Sequence, residues 1–80
     1  MLYQDAKEQL HRLGFHITTR EAKNITHRLN LDHTHIYGII GTPVESITAQ
    51  RGVDVSINAH GNLQIDSIYN IFERGIGHAE

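Results

Sequence analysis

The stretch that decides the fold is Glu45-Ser46-Ile47-Thr48-Ala49-Gln50-Arg51-Gly52-Val53-Asp54-Val55-Ser56-Ile57-Asn58-Ala59-His60-Gly61-Asn62-Leu63-Gln64-Ile65-Asp66. Apolar residues fall at alternate positions in three runs: Ile47 and Ala49; Val53, Val55 and Ile57; Leu63 and Ile65. Gln50-Arg51-Gly52 and Ala59-His60-Gly61 interrupt them, each with Gly last. A hairpin whose type I turn ends on a left-handed residue has this form, because Gly takes that conformation without a Cβ clash. Three-residue loops would set Ala49 against Val53, Ile47 against Val55, Ile57 against Leu63 and Val55 against Ile65. All the apolar side chains then share one face, and a one-residue slip would replace them with Ser and Gln. The sequence therefore predicts a three-stranded antiparallel meander.

Upstream, Leu2, Ala6, Leu10 and Leu13 recur at helical spacing, with Glu8 and Arg12 as an i,i+4 pair and Gly14 as the stop. A second helix is expected from about Arg20 to Leu29, with Thr18-Thr19 as the N-cap candidate and Ala22, Ile25 and Leu29 on its buried stripe. Ile36-Tyr37-Gly38-Ile39-Ile40 is short, β-branched and apolar on both faces, so it reads as a fourth strand, with Gly38 and Gly41 marking a bend or bulge. After Asp66 the period lengthens. Ile68, Ile71 and Phe72 suggest a short C-terminal helix capped by Asp66 or Ser67 and ended by Gly75. The hairpin leading into this helix is similar to a generic pattern of small bacterial and phage proteins, which carries no functional residues of its own.

The expected fold class is α+β in a single domain over residues 1–80: two N-terminal helices, a three- to four-stranded antiparallel meander and a short C-terminal helix packed on one face of the sheet. The competing architecture is a winged helix-turn-helix. Thr42-Pro43-Val44-Glu45 fits a capping box with Pro at the first helical position, and Gly52 would then stop a recognition helix over 43–51, with 53–66 as the wing.

A chain of 80 residues with no Cys has neither a disulfide nor a thiolate metal site, and buries only about two thirds of its unfolded surface. Self-association is one remedy. Ile36, Ile39 and Ile40 form the candidate dimer edge, so a homodimer is expected. The start of the chain lacks the basic and apolar pattern of a signal peptide, and no window is long enough and apolar enough to span a bilayer. A cytoplasmic location without membrane contact is the expectation.

Net charge is −2, with seven His besides. That balance disfavours a dedicated nucleic-acid binder. The cations are nevertheless concentrated early. Lys7, Arg12, Arg20, Lys23 and Arg28 face only Asp5, Glu8 and Glu21 in residues 1–30. On a helical wheel Arg20, Lys23, Asn24 and His27 gather opposite the apolar stripe, flanked by Arg28, and make the candidate binding face. The meander's other face carries Ser46, Thr48, Gln50, Asp54, Ser56, Asn58, Asn62, Gln64 and Asp66, which reads as a solvated surface.

His33 and His35 in Asp32-His33-Thr34-His35 would project to one side of an extended chain, as two imidazole ligands require, and are the candidate metal ligands. No Gly-rich phosphate loop, Cys/His pair, nucleophile elbow or HExxH helix occurs. The expected function is a non-enzymatic binding protein without a cofactor, an adaptor or regulator whose partner is another protein. A winged-helix DNA-binding regulator is the alternative, and a small His-based metal-binding protein a third reading.

Overall fold

Helical periodicity and capping place the first elements where the sequence suggests. In the computed structural model, which describes residues 1–46 and 49–71, α1 runs Tyr3–Arg12 and α2 runs Thr19–Asn30. The Thr18 hydroxyl accepts the Glu21 amide at 3.0 Å, satisfying one of the open N–H groups of the first turn of α2. Between the helices Phe15–His16 forms a short strand, β1. The other strands are β2, His35–Pro43, β3, Arg51–Ile57, and β4, Leu63–Asn70.

All pairings are antiparallel and the strand order is β1-β2-β3-β4. The described residues thus form an α+β fold of two helices and one four-stranded sheet. The core lies between the helices and one sheet face. It is built from Ala6 and Leu10 of α1, Phe15 and Ile17 around β1, Ala22 and Ile25 of α2, and the strand residues Ile36, Ile39, Val53, Val55 and Leu63.

The second hairpin follows the sequence reading. Ile57 pairs with Leu63 and Val55 with Ile65, and Gly61 takes φ +80°. Asn58 closes the loop: its Oδ1 accepts the amides of His60 at 2.9 Å and Asn62 at 3.1 Å, an Asx-type turn.

The first hairpin does not follow it. Among the described residues of 45–49, Glu45, Ser46 and Ala49, none lies in a strand, and the partner of β3 is β2 itself, with Ile39 opposite Val53 and Gly41 opposite Arg51. Gly52 consequently lies inside β3 and not in a turn. It pairs with Ile40 on β2 and Tyr69 on β4, and a Cβ at Gly52 would overlap the Tyr69 ring. Glycine is needed there to let an aromatic ring approach the backbone, not for a left-handed conformation. Nor is there a recognition helix: the described residues of 43–51 contain no helical turn, so the three-helix order of a winged helix is not this fold.

The expected start of a C-terminal helix is also contradicted. Asp66, Ser67 and Ile68, read as its start, belong to β4, which continues to Asn70; the remainder of the expected helix, from Phe72 to Gly75, lies outside the described residues. No described helix is long and apolar enough to cross a membrane.

Candidate functional site

Two surfaces carry polar chemistry, one on each layer. On the sheet face turned away from the helices, the centre is Asp54 in the middle of β3. Sequence alternation placed it on a solvated face, yet it is only 5% exposed, and its neighbour Ser56 is 3% exposed. A buried carboxylate requires donors, and the flanking strands supply them. The Gly38 amide donates to Oδ1 at 2.9 Å, the Ser67 hydroxyl to Oδ2 at 2.8 Å and the Tyr69 hydroxyl to Oδ1 at 3.3 Å.

Both flanking strands bulge to make these bonds. In β2, Tyr37 and Gly38 together lie across from Asp54, because Ile36 pairs with Val55 and Ile39 with Val53. In β4, Asp66 is the extra residue between Ile65, opposite Val55, and Ser67, opposite Asp54. Gly38 sits at φ +78°, a conformation that L side chains rarely adopt, and this turns its N–H towards the carboxylate. Further along, Ser56 donates to Asp66 Oδ1 at 3.0 Å and accepts from Gln64 Nε2 at 3.1 Å. With its oxygens engaged by strand donors, Asp54 is a structural pin that fixes the register of three strands.

The metal candidates do not gather a ligand set. His33 and His35 are both exposed, and His35 Nδ1 stands 3.9 Å from Asp66 Oδ2. His35 also stacks on the exposed Tyr37 ring at 6.4 Å between centroids. Among the described residues no three His, Cys, Asp or Glu side chains come together as a metal site would need. The isoleucines expected at a dimer edge divide differently: Ile36 and Ile39 are 1% and 2% exposed within the chain's own core, and Ile40 is half-buried.

The helical layer presents the second surface. Ala22, Ile25 and Thr26 of α2 turn inward, and Thr26 satisfies its hydroxyl on the Ala22 and Lys23 carbonyls at 3.2 and 3.0 Å. Arg20 with Lys23 and Asn24, and His27 with the same two residues, are three or four positions apart and therefore lie together on the outer side, all exposed, with Arg28 half-buried beside them. Among the described residues Arg20, Lys23 and Arg28 pair with no carboxylate, whereas Arg12 is held by Glu8. The Lys23 ammonium stands 5.1 Å from the centroid of the Tyr3 ring on α1, a cation–π contact that leaves its charge unneutralised.

A groove sequence reasoning did not find adjoins this stripe. It encloses about 510 Å³ between α1, β1 and the start of α2, and Tyr3, Lys7, His11, His16, Ile17 and Thr19 are among its walls. No protein-family model, curated protein or solved structure matches this chain.

Proposed function

We propose that this protein is a non-enzymatic binding module whose helical layer docks an acidic surface of another protein. One observation carries the reading: Arg20, Lys23, Asn24 and His27 are exposed along a single stripe of α2, and no described carboxylate neutralises its cations. Long-range attraction between such a stripe and an acidic surface speeds encounter and orients the partners, while affinity comes from the contacts that follow. The opposite layer supports the same division of labour. Its described strands carry the carboxylates Asp54 and Asp66, joined there by Ser56 and Ser67, so an acidic partner is disfavoured there and directed to the helices.

The test is affinity capture from a cell extract with wild-type protein and with the Arg20→Glu, Lys23→Glu double variant. These side chains are exposed, so the variant keeps the wild-type circular dichroism spectrum. Proteins held by the wild type should be lost from the variant, and released at 1 M salt, where the screening length falls to about 3 Å. Equal retention by both chains refutes the proposal. Capture of nucleic acid in place of protein assigns the stripe to a different class of partner.

A further inference from the structure

The groove beside α2 is cationic in a way that extends the stripe. Lys7 places its ammonium 3.1 Å from the Thr19 hydroxyl, a neutral acceptor, so its charge faces the groove without a carboxylate. His11 and His16 bring their rings to 4.7 Å, and each imidazole, whether neutral or charged, offers an N–H donor. Glu8, an acid in the same wall, is already bonded to Arg12. Tyr3 and Ile17 add apolar surface suited to the methylenes of a side chain. The groove and the stripe are continuous, because the Tyr3 ring that lines the groove is the ring over which Lys23 stands.

We infer that the groove receives an acidic side chain, Asp or Glu, from a peptide segment of the partner that lies along α2. This rests on the reading of α2 as the docking stripe and adds the residues that set specificity. Lys7 binds the carboxylate, His11 and His16 supply further donors, and Lys23 over Tyr3 guides the segment from the stripe into the groove. An anchored carboxylate distinguishes this site from a diffuse basic patch, which would respond only to total charge.

Fluorescence anisotropy of the full chain with a labelled polyglutamate peptide of about ten residues tests the inference, with an oligonucleotide of about ten nucleotides as the comparison arm. Lys7→Gln should weaken peptide binding about fivefold to tenfold, the loss of one charge-assisted contact at a partly exposed site. Lys7→Arg, which keeps the charge, should stay within about twofold of wild type. His16→Gln should weaken binding by a smaller factor. Peptide binding lost in the Arg20→Glu, Lys23→Glu variant but unchanged by Lys7→Gln and His16→Gln overturns the groove and leaves the stripe standing. No peptide binding by wild type at low salt overturns both. Tighter binding of the oligonucleotide than of the peptide overturns the choice of occupant.

Discussion

Replacing Gly52 by Ala should destabilise the protein only while Tyr69 is present. Gly52 and Tyr69 are cross-strand partners, and a Cβ at position 52 would overlap Cε2 and Cζ of the ring and stand 2.7 Å from Cδ2. The ring must therefore move. Overpacking of this kind costs about 1–3 kcal/mol, and the displaced hydroxyl gives up its bond to Asp54, a further contribution of about 1 kcal/mol. Working the other way, Ala is favoured over Gly within a strand by roughly 0.5–1 kcal/mol. The net loss is about 1–3 kcal/mol, read as a fall in melting temperature of about 4–8 °C per kcal/mol for a domain of this size. In a Tyr69→Ala background nothing remains to collide with, and the same Gly52→Ala change should be neutral or slightly stabilising. Urea unfolding of the four proteins in this cycle measures the coupling directly. If Gly52→Ala costs the same in both backgrounds, the glycine is serving backbone conformation and not the approach of the ring, and the pairing of Gly52 with Tyr69 is refuted.

Gly61→Val places a β-branched residue at φ +80° and should cost about 1–3 kcal/mol by urea denaturation, whatever occupies position 69. Thr18→Ala removes the acceptor for the Glu21 amide and should cost about 1 kcal/mol, with Thr18→Asp restoring most of it. Asp54→Ala leaves the Gly38 amide, the Ser67 hydroxyl and the Tyr69 hydroxyl without this acceptor and should cost about 2–4 kcal/mol. Hydrogen exchange should then quicken first at Gly38; unchanged protection there would show that the carboxylate does not hold the bulge.

Both helices and the second hairpin were legible because their determinants are local. Thr18 caps its own helix, and Asn58 and Gly61 shape their own turn. The basic stripe on α2 was legible for the same reason: Arg20, Lys23, Asn24 and His27 share a face once the helix and its buried side are known. The groove was not, because it exists only where α1 meets α2. Lys7 reaches Thr19, and Lys23 reaches Tyr3, across separations that no helical wheel displays. Gly52 and Gly61 look alike in the sequence, each closing a three-residue interruption between alternating runs. What separates them is Tyr69, which the sequence reading did not bring into register with Gly52.

The two remaining misreadings share one cause. A single extra residue in a strand turns the two-residue alternation into a three-residue step across the bulge. In β2 this lets Ile36 and Ile39 both enter the core, so a segment that reads as apolar on two faces has one apolar face and a displaced Gly38. In β4 the same step, made by Asp66, brings Ile65 and Ile68 onto one side of the sheet, opposite Val55 and Val53. A three-residue spacing followed by another at Ile71 resembles the start of a helix, so the pattern reads as a strand ending at Asp66. Both bulges flank Asp54, the polar residue that alternation assigned to solvent. The reasons therefore converge. A buried carboxylate on the middle strand needs donors from both neighbours, each neighbour shifts by one residue to provide them, and those shifts erase the periodicity by which the strands would have been recognised.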